Sequence, residues 1–240
     1  MCYSVSYLTH KNEVYARRLG VTADSQPTFF NQLNQTKDFL GIGWFKYGFD
    51  HPGLPVLIHY NSPFSIIPAF WGLIPKWART IEQQKKIINN TLNARIETLS
   101  EKPSFRNSIN NRCIVVLDGF FEYQQVNKIK QPHFIRYSDH RPMFVAGIFE
   151  NSPETLPYAL SVSILTRPAN SFMQKIHNTE EPRMPVIMEL EDVDVWLHEN
   201  FKTAVNHLLA IQVNDLYSVQ VRKLIGKEGV GNSPEAQMPL

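Results

Sequence analysis

Cysteine is scarce in this chain of 240 residues: Cys2 and Cys113 are its only two. Two such thiols make neither a disulfide framework nor a Cys-x-x-Cys metal knuckle, so any cysteine chemistry belongs to a free thiol, and no metal or cofactor is expected. Long apolar runs are missing too. No stretch approaches the roughly 18 residues of a membrane span, and the opening MCYSVSYLTHKNEVYARRLG has neither the basic start nor the apolar middle of a secretion signal. Those absences predict a soluble, cytoplasmic protein without membrane contact. No internal repeat is visible, and the formal net charge is only +2.

The small net charge hides an uneven distribution. Lys76 to Arg112 carries eight Lys and Arg against three Glu. A cationic strip of this kind is what a phosphate backbone needs, because each neutralised phosphate releases counterions, although such runs are more often a solvated face. The 43% apolar and 12% aromatic content is that of a globular protein, and a chain this long buries most of its surface. One domain over 1–224 is expected, with 225–240 disordered because GKEGVGNSPEAQMPL has little to bury.

Periodicity predicts an α+β fold with a strand-rich centre and peripheral helices. Residues 11–19 read as a short helix closed by Gly20, and 27–55 as loops broken by short strands. Runs at 56–60, 64–74, 114–123, 133–137, 143–149, 158–166 and 185–188 read as strands. The fourth and fifth form a hairpin joined by Ser-Asp-His-Arg-Pro. Helical spacing returns at 168–177 and 190–211.

Several residues could carry chemistry. Cys2 becomes N-terminal if Met1 is removed, which places a free α-amine and a thiol on one residue. An aldehyde meeting both would form a Schiff base and then a five-membered thiazolidine, which an internal cysteine cannot do because its nitrogen is an amide. Read alone, Cys2 is also compatible with a small buried hydrophobe. Asn93, Arg95 and Glu97 share one face if 91–98 is extended, offering either an amide and a phosphate clamp or a plain surface Arg–Glu pair. Glu122, flanked by aromatics, is placed to be a desolvated acid or base or an edge-strand carboxylate. His177 could move protons near neutrality or cap a helix. Trp71 and Trp77 could stack unpaired bases or fill the core.

Met-Cys at the start, Phe-Trp-Gly-Leu-Ile-Pro-Lys-Trp at 70–77, Asn-Ala-Arg-Ile-Glu-Thr at 93–98, the block 112–123, and Ile-His-Asn followed by Arg-Met-Pro-Val-Ile at 183–187 stand in order. Together they resemble the SRAP family, the SOS-response-associated peptidases or abasic-site-processing proteins, from Cys2 to about Trp196. The resemblance implies a compact domain with a barrel-like centre and a positively charged groove. It also implies binding of single-stranded DNA at abasic sites in the DNA damage response, which would bring the protein to the nucleoid; a monomer is the default expectation.

In that family Cys2 would form the thiazolidine after Met1 is released, Asn93 would position the amine and sugar, and Glu122 would shuttle protons. His177 would help open the sugar ring and reverse the link. Arg95 would clamp phosphate, while Trp71 and Pro52 would line the strand path, and Lys76 and Arg183 are further candidates for DNA contact. The chain departs from the family where Tyr3 and Ser4 replace a usual Gly-Arg, and where two glutamates, Glu180 and Glu181, precede Arg183. A thiol or N-terminal-nucleophile hydrolase using Cys2, His177 and Asn93, and a plain single-strand-binding module, are the competing readings.

Overall fold

A computed structural model describes residues 2–59 and 64–240. Met1 and residues 60–63, which include the last position of the strand expected over 56–60, lie outside the described residues. In chain order the elements are β1 Ser4–Tyr7, α1 Asn12–Arg18, α2 Pro27–Leu40, β2 Gly43–Tyr47, β3 Gly53–His59 and β4 Phe64–Trp71. Then follow α3 Ile81–Ile87, β5 Asn93–Arg95, β6 Arg112–Leu117, β7 Gly119–Val126, β8 Ile129–Tyr137, β9 Met143–Asn151 and β10 Leu160–Pro168. The chain finishes with α4 Ser171–Gln174, β11 Arg183–Pro185, β12 Ile187–Met188, α5 Leu190–His198, α6 Phe201–Ala210 and β13 Leu216–Gln220.

The strands form two sheets. In one, β10, β4, β3, β6 and β9 pair in turn and β9 returns to pair with β10, which closes a five-stranded barrel. Closure removes exposed edges, and the interior is packed with aliphatic side chains such as Val56, Val115, Val145 and Val162. The other sheet runs β13-β8-β7-β1-β2. The expected α+β domain with a barrel-like centre is therefore what forms.

The strand expected over 114–123 divides at Asp118, and its halves, β6 and β7, serve different sheets. Asp118 turns the chain by donating its N–H to Ser6 O at 2.8 Å while its carboxylate accepts from Thr9 N, Thr9 Oγ1 and Tyr15 Oη. Gly119 is required next to it, since a Cβ there would meet Ile135 O at 2.5 Å.

Three expectations fail for identifiable reasons. Residues 27–55 are not mainly loop, because α2 starts with Pro27 at its first position, where the missing N–H costs nothing, and buries Phe29, Leu33 and Thr36 at helical spacing. The hairpin between 133–137 and 143–149 does not form. Asn127 and Lys128, both at positive φ, make a two-residue turn of the kind that matches strand twist, so β8 pairs with β7 in continuous register and the next segment crosses to the barrel.

The third concerns 225–240, which is folded. Ala236 is fully buried in an apolar cluster with Phe45, Phe121 and Phe134. Gln237 Nε2 donates to Ser6 Oγ and Trp44 O, and Asn232 Oδ1 accepts from Phe45 N. A low apolar content sufficed here because the segment covers the open face of a sheet instead of building a core of its own.

Candidate functional site

Strand β10 organises the site. One of its edges pairs with β4 through Leu160–Val162 and then with β5 through Ile164–Thr166. The other pairs with β9 and then, at Thr166–Pro168, with β11. The end of β10 is thus flanked by two short strands from distant parts of the sequence. Alternation along β5 buries Ala94 and turns Asn93 and Arg95 the other way.

Strand β1 brings Cys2 to the same place. It pairs with β7 so that Ser4 lies opposite Phe121, and residues 2 and 3 continue beside Glu122. Asn93 Nδ2 donates to Cys2 O at 2.7 Å, joining β5 to the start of the chain. Cys2 is 1% exposed, and its Sγ lies 3.7 Å from Ser4 O. Burial, reinforced by the Glu122 carboxylate, pushes the thiol up to about 12.

His177 follows α4, whose N-cap Asn170 accepts from Met173 N. The backbone N–H of Arg183 donates to His177 Nδ1 at 3.0 Å, and the same nitrogen lies 3.9 Å from Glu122 Oε2. The same Nδ1 lies 3.0 Å from Arg183 O, to which it donates in the other tautomer, and Nε2 faces Thr179 Oγ1 at 3.4 Å. Glu122 and His177 are both buried. Cys2, Asn93, Glu122 and His177 are therefore gathered into one cluster, with a buried acid and a buried base beside a thiol.

The other expected residues are distributed differently. Arg95 stands exposed at the rim in a 2.8 Å ion pair with Glu181. Arg183 is buried, and its guanidinium is committed to both oxygens of Glu97, to Thr166 O and to Thr166 Oγ1. With those contacts it ties β11 to β10 and has no free fork for a phosphate.

Trp71 has no exposed surface, and its indole N–H donates to Leu92 O at 2.8 Å. It is a core residue, so it cannot line a strand path; Trp77, 44% exposed, is the accessible one. Pro52 borders an adjoining groove with Lys46 and Asp50 that shares Tyr47, Leu224 and Ile225 with the cavity over the cluster, whereas Lys76 lies over buried Glu150 at 3.6 Å in a cavity that shares no lining residue with it.

Above the cluster opens a cavity of about 790 Å³ with a mainly apolar lining that includes Tyr3, Tyr47, Phe49, Glu122 and His177. The sequence reading did not single out Tyr47 or Phe49. The only available signal was the aromatic density of Trp44-Phe45-Lys46-Tyr47-Gly48-Phe49, which carries no period. Among the described residues no group of three or more His, Cys, Asp or Glu could hold a metal ion, and no helix is long and apolar enough to cross a membrane.

Comparison with known proteins places this geometry. The family model for SOS response associated peptidases (SRAP) matches residues 46–228. The chain is 37% identical over 173 residues to the abasic site processing protein YoqW of Bacillus subtilis, covering 69% of this chain and 72% of that protein. It is 31% identical over 152 residues to the abasic site processing protein HMCES of Xenopus tropicalis, covering 53% and 43% of the two chains. A crystal structure of a protein from Bacteroides thetaiotaomicron superposes with a TM-score of 0.81 at 28% identity over the whole of both chains.

Proposed function

The chain belongs to the SOS response associated peptidase (SRAP) family, and on that footing we propose that it processes abasic sites in single-stranded DNA by covalent capture through Cys2. The observation that carries the proposal is the meeting of Cys2, Asn93, Glu122 and His177, with Asn93 Nδ2 2.7 Å from the Cys2 carbonyl and His177 Nδ1 3.9 Å from Glu122. The names of its relatives, abasic site processing proteins, agree with it.

The reaction follows from the groups present. Once Met1 is removed, the Cys2 amine adds to the aldehyde of the ring-opened deoxyribose, and loss of one water gives an imine. The thiol then adds to the imine carbon and its proton passes to the nitrogen, closing a thiazolidine. A buried thiol is a poor nucleophile until its proton is accepted, so the amine reacts first and Glu122 relays the thiol proton to the nitrogen as the ring closes. Asn93 orients the residue through its carbonyl. His177, beside Glu122, serves sugar-ring opening and reversal.

Intact mass spectrometry tests the proposal. After incubation with a single-stranded oligonucleotide carrying one abasic site, without reductant, a species lacking Met1 gains the oligonucleotide mass less one water and survives denaturation. Protein that lacks Met1 yet gains no mass removes the covalent reading and moves peptide substrates forward.

Phosphate grip is the second element. Arg95 must exchange Glu181 for a phosphate, so Arg95→Ala lowers affinity for all sequences alike and reduces the slope of log Kd against log salt by about one. An unchanged slope in a fluorescence-anisotropy titration would place Arg95 outside the interface.

A further inference from the structure

The cavity over the Cys2 cluster is more aromatic than its chemistry needs. Tyr3 and Phe49 have ring centroids 5.0 Å apart, and Tyr47 and Phe49 5.3 Å apart. Gly48 donates its N–H to Tyr3 O at 2.7 Å, which pins the backbone beside the nucleophile to the turn that carries Phe49. Phe49 is 39% exposed, unusual for a phenylalanine on a well-packed turn. The cavity floor is Glu122 and His177, and Lys130 and Lys223 stand at its rim.

We infer that Phe49, backed by Tyr3 and Tyr47, stacks the nucleobase next to the lesion. The inference rests on the covalent reading and deepens it by assigning the flanking nucleotide a place. An abasic strand has a particular deficiency: the bases on either side of the gap have each lost a stacking neighbour. A sugar drawn down to Cys2 carries an adjacent base toward the cavity mouth, where an exposed ring can supply the missing face. Every base has such a face, so the contact is tolerant of sequence. The rim lysines suit the phosphates of that nucleotide, and Ser4, a β1 residue in the cavity lining, supplies no charge there.

The experiment compares two single-stranded oligonucleotides with equal numbers of phosphates. One carries a single tetrahydrofuran abasic analogue between adenines; in the other, both flanking positions are tetrahydrofuran as well. Binding measured by fluorescence anisotropy at one salt concentration favours the adenine-flanked strand by about tenfold for the wild type. Phe49→Ala brings the ratio to near one, and Phe49→Trp keeps it. A ratio unchanged in Phe49→Ala, or absent from the wild type, overturns the inference. The analogue has no aldehyde, so the ratio is independent of crosslinking. A parallel incubation with a true abasic strand reports the covalent reading separately, and its failure leaves the stacking result standing.

Discussion

Cys2→Ala abolishes the heat-stable adduct with abasic DNA while sparing non-covalent binding. The variant keeps an α-amine at position 2, so the first half of the reaction survives and an imine forms; without a sulfur, no ring closes behind it. The imine hydrolyses when the strand is denatured, so the adduct band on a denaturing gel falls below detection without reductant and reappears when borohydride is added. The wild-type band needs no reductant. Binding is spared because the Cys2 side chain is buried and contacts its own strand at Ser4 O. A variant that crosslinks stably without borohydride would show that the Cys2 thiol does not close the linkage, since a bare imine at any amine hydrolyses, and would end the thiazolidine mechanism.

Trp71→Ala is expected to destabilise the fold by about 3–5 kcal/mol, the usual cost of deleting a buried tryptophan. Trp71 has no exposed surface and closes β4 against the backbone before β5 through its bond to Leu92 O. The deletion leaves a cavity at the barrel wall, which adds to the lost transfer energy, and takes from Leu92 O one of its two hydrogen bonds, the other coming from Ile164 N. Chemical denaturation reads the loss directly. The fraction that remains folded binds DNA as the wild type does. A variant of normal stability and weakened DNA affinity would restore Trp71 to the strand path, contrary to its burial.

Much of the strand content was legible because β-branched and aromatic runs bounded by turn residues mark strands without reference to partners. Pairing was less so. The interval from Arg112 to Tyr123 is one unbroken pattern in sequence, and only Asp118, held by Thr9 and Tyr15, divides it between two sheets. The Asn127-Lys128 turn was a local sign of the β7–β8 hairpin, passed over for a longer, Pro-containing connection. In α2 the positions of Phe29, Leu33 and Thr36 were readable, but the surrounding Gln, Asn and Phe obscured the period. For the site, residue types on their own left each candidate open. The pairing of both edges of β10 is what joins β5 to β11, and no spacing in the sequence expresses it. Arg183 shows the limit from the other side, since its partner Glu97 comes from a segment 86 positions away.

The pairing of β1 with β7 also sets a clock. Residues 4–7 and their partner β2 are made early, yet the strand on their other edge, 119–126, follows only after the intervening chain has been translated. At about 5–20 residues per second the nascent protein spends on the order of ten seconds with β1 lacking its β7 neighbour. During that interval the segment ahead of Cys2 is open to trimming. Once β7 arrives, the same residue is enclosed, so removal of Met1, on which the proposed capture depends, competes with completion of the fold.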